Sequence, residues 1–182
     1  DLLSQWSTGN SNNGIAVFGN CHLISSNSSI SNCEVDGIYV TKSLTLSASE
    51  LDVIGNGEDG LDVGENSNLI LTGARVQNNV GRALVALANT FIDVDYALMD
   101  DNGGNGIELA ASGALSLSNC RLHGNGVDGI HSGSPVSVNH CDIAFSGGSA
   151  LVLTGNNFHT LNNSILWGNN ETNYTQIDIG GG

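Results

Sequence analysis

Residues 115–130, LSLSNCRLHGNGVDGI, decide the fold of this chain. The stretch begins with two apolar residues two positions apart, Leu115 and Leu117, and it ends on a small residue followed by an apolar one, Gly129 and Ile130. The apolar residue of this ending recurs along the chain, at Ile15, Ile38, Leu61, Leu84, Ile107, Ile130 and Leu151. Each of the first five steps in residue number is 23, and the last step is 21. A period of this length indicates a solenoid of stacked repeats.

The apolar residues inside each repeat fall on a regular grid. When each repeat is numbered from its small residue, apolar side chains recur at positions 2 and 4, 10 and 12, and 15 and 17. Pairs spaced two apart indicate half-buried strands, because successive side chains of a strand point to opposite faces. No segment has the 3.6-residue period of a helix. The prediction is an all-β fold, a single-stranded parallel β-helix of about seven coils of roughly 21–23 residues, with three short strands per coil.

A recurring asparagine marks one corner of the predicted coil. Position 20 of the repeat holds Asn10, Asn56, Asn79, Asn102 and Asn125, and only Cys33 and Ser146 replace the asparagine there. Asparagine tolerates the left-handed backbone of a sharp bend. Stacked amides can also hydrogen-bond from coil to coil and satisfy buried backbone groups. We therefore predict an asparagine ladder inside this corner.

Composition limits the partners of the chain. Only four of its 182 residues are Lys or Arg and 18 are Asp or Glu, a net charge of −14. Nucleic acids and anionic membrane surfaces require a basic patch, and the sequence has none. It also has no apolar run of the ~18 residues that membrane insertion needs. An acidic, Asn- and Ser-rich chain with little Lys is typical of secreted proteins. We predict one domain over residues 1–182, and the ends, at Asp1 and in DIGGG, predict a fragment of a longer chain with coils or domains beyond both.

The repeat also resembles a known family. Read from Leu115 to Ile130 as L-x-L-x-N-C-x-L-x-G-N-x-x-D-G-I, it resembles the repeat of right-handed parallel β-helix proteins, the pectate-lyase-like superfamily. The resemblance runs from Asn10 to about Asn170, and NNSILWGNN, residues 162–170, is similar to late coils of large secreted bacterial surface proteins. It implies a right-handed coil and a secreted or cell-surface location. It does not specify an activity, because this fold hosts lyases, hydrolases, epimerases and adhesins.

The outward position 3 carries the candidate ligand-binding residues. Read along the chain it holds Ala16, Tyr39, Asp62, Val85, Glu108, His131 and Val152. Asp62 and Glu108 lie two coils apart, ~10 Å, close to the upper end of the carboxylate separation in inverting glycosidases. Tyr39 could stack on a sugar ring and His131 could act as an acid or a base. The alternative is that outward positions are simply polar.

Three acidic residues are the candidate metal ligands. Asp36 and Asp59 share position 23 on adjacent coils, with Glu58 alongside, and calcium could bridge such oxygens. Calcium is the one cofactor that the sequence suggests. The alternative is that each aspartate caps its own turn and Arg82 neutralises Asp59 from the next coil. Position 16 predicts two surface ion pairs, Asp52 with Arg75 and Arg121 with Asp142.

The four cysteines are predicted to have a packing role and no catalytic or metal-binding role. Cys120 and Cys141 share the inward position 15 on adjacent coils, where two stacked free thiols would fill space. Cys21 and Cys33 belong to one coil, at a loop and a corner. No Cys/His spacing typical of zinc is present.

Two functional hypotheses remain open. The first is a structural or binding segment of a secreted or surface-displayed protein, an adhesin, stalk or carbohydrate-binding face for a polysaccharide or a cell-surface glycan. The alternative is a polysaccharide-active enzyme, a hydrolase, lyase or epimerase that uses Asp62, Glu108 and His131. Of the pectin hydrolase motifs only Asp100-Asp101 is present. Repeat intervals this even leave no room for the long loops that build a cleft, which favours the first hypothesis.

Overall fold

The chain winds into a parallel β-helix of about seven coils. The computed structural model describes residues 2–3, 6–42, 44–170, 172 and 176–180. All of the regular elements there are β-strands, and their pairings are parallel, such as Leu84 with Leu61 before it and with Ile107 after it. The predicted fold class is confirmed. No helix among the described residues has the length and apolar character needed to cross a membrane.

Three faces run along the axis of the coil. Face 1 contains positions 2–4 and is one eight-stranded sheet: Ile15–Val17, Ile38–Lys42, Leu61–Glu65, Leu84–Ala86, Ile107–Leu109, Ile130–Ser132, Leu151–Thr154 and Ile177–Gly180. Face 2 contains positions 9–13: Leu2–Leu3, Asn68–Thr72, Phe91–Asp95, Ala114–Ser118, Val136–Asn139 and Thr160–Asn162. Face 3 contains positions 16–18: Trp6–Thr8, Arg75–Gln77, Leu98–Asp100, Arg121–His123, Asp142–Ala144 and Ile165–Trp167.

Two early coils differ from the predicted three strands. Cys21–Ser31 and Leu44–Ile54 each run without a break through the bend between faces 2 and 3, and they join both faces into one 14-stranded sheet. The bend is made by a single left-handed residue, with φ of 47° at Asn27 and 51° at Glu50. Pairing resumes directly after it, from Ser28 with Leu51 onward, so the two short strands merge into one.

The inward positions of the grid form the core. Position 10 stacks Leu46, Leu69, Ile92, Leu115 and Val136, none more than 3% exposed. Fully burying one such side chain contributes roughly 1.5–3 kcal/mol, so the stack alone is a large stabilising term. The two-residue deletion falls between faces 1 and 2, as predicted. Ser132 still pairs with Leu109, a full repeat before it, whereas Val136 pairs with Leu115, two positions short of a full repeat.

The predicted asparagine ladder is present at position 20. The amide oxygen of Asn79 accepts hydrogen bonds from the backbone N–H and the side-chain amide of Asn56, at 3.0 and 2.9 Å. Asn102 receives the same two bonds from Asn79, at 3.1 and 2.9 Å. Asn169 extends the column, because its amide oxygen accepts from the backbone N–H of Ser146 at 2.9 Å. The sequence pattern did not include Asn169.

One of the two predicted surface ion pairs is wrong. Arg75 pairs with Asp52 as predicted. Arg121 pairs instead with Asp100, through its Nη2 and through Nε at 3.1 Å. Asp142 does stand beside Arg121 in the sheet, but Asp100 is almost fully buried, and a buried carboxylate gains more from a cation than an exposed one.

Cys120 and Cys141 stack inside the corner of adjacent coils. Both are buried, and the sulfur of Cys141 lies 3.4 Å from the backbone nitrogen of Cys120. All four cysteines have free thiols in this structure, and Cys21 is the exposed one.

Candidate functional site

The position 3 side chains stand in register along face 1. We call them the outward row. Tyr39 pairs with Asp62, Val85 lies between Asp62 and Glu108, and Glu108 pairs with His131. Asp178 continues the row beyond Val152. The structure therefore brings the four predicted ligand-binding residues onto one line, with the 5% exposed Val85 separating Asp62 from Glu108.

An aromatic pair occupies one end of the outward row. The ring of Phe18 lies edge-on to that of Tyr39, with centroids 6.2 Å apart and planes inclined by 61°. Phe18 is 75% exposed, so it presents its ring to solvent beside Tyr39. Sequence reasoning missed Phe18, because it follows the strand Ile15–Val17 and lies outside the repeating grid.

Acidic side chains surround the middle of the row. Burial raises the pKa of Asp36 to about 6, although a hydrogen bond from the backbone N–H of Asp59 opposes the shift, and nearby Asp62, Asp59 and Glu58 raise it further. Burial also raises the pKa of Asp62, with Asp59 and Glu58 adding to the shift and Arg82 opposing it. These carboxyls therefore hold protons more tightly than ordinary aspartates do.

Arg82 ties two of the acidic residues together. Its Nη2 lies 2.7 Å from Asp59 Oδ2 and its Nη1 lies 3.2 Å from Glu108 Oε2. Hydrogen bonding to Asp59 raises the pKa of the guanidinium. The amide of Asn105 donates a further bond to Glu108, at 2.9 Å. The predicted Arg82–Asp59 pair is thus confirmed, and the bridge to Glu108 was not foreseen.

The position 23 residues connect successive coils. Oδ1 of Asp36 accepts the backbone N–H of Asp59 at 2.9 Å, and Oδ1 of Asp59 accepts that of Arg82 at 2.6 Å. Asn105 accepts the N–H of Asp128 at 2.9 Å in the same way. Each side chain therefore caps the corner of the next coil. The sequence had predicted that each aspartate caps the turn in which it lies.

His131 and the proposed metal ligands complete the site. His131 Nδ1 lies 3.3 Å from Asp128 Oδ2, so a carboxylate orients the ring. Among the described residues no group of three or more His, Cys, Asp or Glu is arranged to hold a metal ion. Asp36 and Asp59 each use one carboxylate oxygen to accept a backbone N–H of the next coil, and Glu58 is exposed beside them. Calcium binding there stays a prediction from the sequence.

The raised pKa of Asp36 predicts a pH-dependent stability. The pKa of Asp36 in the folded protein, about 6, lies above its ordinary value of 3.8. The stability that protonated Asp36 contributes is therefore fully present below pH 3.8 and is lost as the pH rises through 6. Asp36→Asn keeps the acceptor for Asp59 and removes the charge, as Asn105 already does further along the same column. We expect the variant to be more stable than the wild type at pH 8 by about 1 kcal/mol after solvent screening, and equal to it near pH 3.5.

Urea unfolding at the two pH values measures this difference. Asp178→Asn, which changes an exposed carboxyl of the outward row, is the control and should change the free energy of unfolding by no more than about 0.5 kcal/mol at either pH. If Asp36→Asn changed the free energy of unfolding equally at both pH values, the raised pKa of Asp36 would be contradicted.

Comparisons with known proteins agree with this architecture. A family model described as a right handed beta helix region matches residues 4–114, more than half of the chain. An endopolygalacturonase from Emericella nidulans is 31% identical over 85 residues, which are 47% of this chain and 21% of that relative. The matched stretch thus spans about a fifth of the relative's length.

A solved structure shows the same fold. The A-module of a mannuronan C-5 epimerase from Azotobacter vinelandii superposes with a TM-score of 0.67 over 97% of this chain and 59% of that one. The two are 11% identical in sequence, so the likeness shows the right-handed β-helix and nothing more specific.

Proposed function

The chain belongs to the right-handed β-helix family, and from that premise we propose that it is a binding segment of a secreted or surface-displayed protein that holds polysaccharide against the outward row. The observation that carries the proposal is the alignment of an aromatic pair, Phe18 and Tyr39, with a line of polar side chains on one flat sheet face. Sugar rings offer an apolar face to aromatic side chains and hydroxyls to polar ones. The carbohydrate-active relatives support this class of ligand.

The contacts within the row favour binding over turnover. Glu108 accepts bonds from Arg82 and Asn105, and His131 faces Asp128, so two of the three predicted catalytic groups have partners. A bond-breaking pair needs free acid and base groups directed at one point between them. Between Asp62 and Glu108 that point lies over the side chain of Val85. The row therefore suits a ligand that lies along it.

Charge selects the kind of polysaccharide. Asp36, Glu58, Asp59 and Asp62 stand close enough to influence one another, and Arg82 is committed to Asp59 and Glu108. An acidic polysaccharide would add charge of the same sign to this face. We therefore propose a neutral polysaccharide or cell-surface glycan as the ligand.

A second candidate function is hydrolysis of a polysaccharide. Its support is the pKa of Asp62, which burial raises above the ordinary value, together with the ion-paired Glu108 two coils away. Glycoside hydrolases use one protonated and one ionised carboxyl group. The partial similarity to an endopolygalacturonase points the same way.

Four variants separate the two functions. We expect Tyr39→Ala to weaken binding to immobilised neutral polysaccharide about tenfold, because the stacking surface is lost, while Tyr39→Phe keeps it. Asp62→Asn and Glu108→Gln preserve shape, and we expect each to leave binding within about twofold. The wild type should release no sugar from pectin, alginate or neutral glucans. Sugar release by the wild type that Glu108→Gln abolishes would overturn the binding function and establish the enzyme.

A further inference from the structure

Face 2 contains a groove that is separate from the outward row. It encloses about 430 Å³, a size within the roughly 300–1,000 Å³ of small-ligand sites. The groove crosses five coils between the side chains of position 9 and those of position 11. Its two sides differ in chemistry, and neither contains a residue of the outward row.

The side formed by position 9 begins at Asn68 and is apolar from Phe91 to Phe158, both of which are exposed. Phe91 pairs with Ala114 in the next coil, and Pro135 and Phe158 follow at the same position in the two coils after that. Phe91 is 56% exposed and Phe158 is 94% exposed. Three coil spacings separate the two rings, about 14 Å along the axis. The small side chain of Ala114 leaves the space between them open.

The side formed by position 11 is polar. Asp93, Ser116, Ser137 and Thr160 succeed one another in register. The hydroxyl of Thr160 donates to that of Ser137 at 2.9 Å. Asp93 is exposed and its carboxylate makes no hydrogen bond or ion pair with the described residues, so it is available to accept hydroxyl donors.

We propose that this groove binds a neutral oligosaccharide that lies along the axis of the coil. A sugar chain is apolar on its ring faces and rich in hydroxyls at its edges, so it matches a groove with aromatic rings on one side and hydroxyls with a carboxylate on the other. The exposed rings of Phe91 and Phe158 leave apolar surface in water, which is unfavourable, and a ligand that stacks on them removes that cost. Asp93 is the one charged residue lining the groove, and it disfavours an acidic chain.

This second site goes beyond the outward row and does not depend on it. The two sites lie on different faces of the coil, and their aromatic residues are different. A ligand bound to one leaves the signals of the other unchanged, so each site can fail on its own.

The experiment is an NMR titration of the whole chain with cellohexaose, xylohexaose and mannohexaose, and with hexagalacturonate as the charged comparison. We expect at least one neutral hexasaccharide to shift the amide signals of Ala114, Ser116 and Ser137, and hexagalacturonate to leave them unchanged. Phe91→Ala and Phe158→Ala should each weaken that binding about tenfold. Phe158→Tyr keeps the ring and should keep the affinity within about twofold.

Phe18→Ala is the matched control, because it removes a phenylalanine of the outward row whose exposure, 75%, lies between those of Phe91 and Phe158. It should leave groove binding unchanged. The proposal is overturned if none of the three neutral sugars shifts the groove signals, if the double Phe91→Ala, Phe158→Ala variant binds as tightly as the wild type, or if hexagalacturonate binds equally well. Shifts confined to Tyr39 and Phe18 would likewise exclude the groove while supporting the outward row.

Discussion

Leu117→Asp is expected to abolish soluble folding of the chain. Leu117 is 1% exposed and pairs with Val94 and Val138, which are both fully buried. The substitution places a carboxylate between two apolar side chains, with no cation or donor to satisfy it. It also interrupts a stack in which each coil is stabilised by contact with its neighbours. Soluble yield, the β-sheet circular dichroism signal and a cooperative thermal transition should all be lost.

The neighbouring residue provides the control. Ser116 is half-buried and points to the opposite side of the same strand, where it stands beside Asp93 and Ser137. Ser116→Asp adds a charge next to Asp93, and we expect a cost of no more than about 1 kcal/mol from that repulsion. The variant should remain folded. Equal behaviour of the two variants would show that the alternation of buried and exposed side chains had been assigned to the wrong faces.

The sequence predicted the coil well because two periods act on it together. Alternation within a strand decides which side chain points inward, and the 23-residue repeat decides which residues meet in adjacent coils. Once Ile107 is aligned with Leu84, the neighbours Glu108 and Val85 are fixed as well. The line of Tyr39, Asp62, Glu108 and His131 therefore followed from register alone.

The ion pairs of the arginines were less predictable, because register does not fix the direction of a long side chain. Arg121 stands beside Asp142 in the sheet, yet its long side chain reaches the buried Asp100 of the other neighbouring coil. Arg82 was expected to pair with Asp59 and also reaches Glu108. A flexible cationic side chain can reach several acidic neighbours, and it pairs most strongly with the carboxylate that is most buried.

Residues outside the repeating grid carried no usable signal in the sequence. Phe18 lies in a segment between strands, and Phe158, although it follows Pro135 by one repeat of 23 residues, precedes the strand Thr160–Asn162 and is not part of the apolar grid. Their exposure and their neighbours become visible only when the coils are stacked. The aromatic end of the outward row and one wall of the face 2 groove both depend on such residues.

Asn79→Ala is expected to lower the free energy of unfolding by roughly 1–3 kcal/mol. Asn79 is 2% exposed. Its amide oxygen accepts two bonds from Asn56, and its amide nitrogen donates to Asn102 at 2.9 Å and to the carbonyl oxygen of Val53 at 3.2 Å. Alanine removes all four bonds and leaves the backbone N–H of Asn56 buried without its acceptor. The midpoint of urea unfolding and the melting temperature should both fall, the latter by about 2–4 °C for each kcal/mol.

The loss of unfolding free energy shows whether the asparagine ladder stabilises the corner. Asn68→Ala removes the same amide from an exposed strand position, and it should change the unfolding free energy by no more than about 0.5 kcal/mol. If the ladder satisfies the corner backbone, the two substitutions must differ, since only one of them leaves buried polar groups unpaired. Because each coil is stabilised mainly by its neighbours, the loss at Asn79 acts in the centre of the stack and cannot be relieved by fraying at an end. Unfolding curves that coincide for the two variants would mean that the amides stack without stabilising the corner.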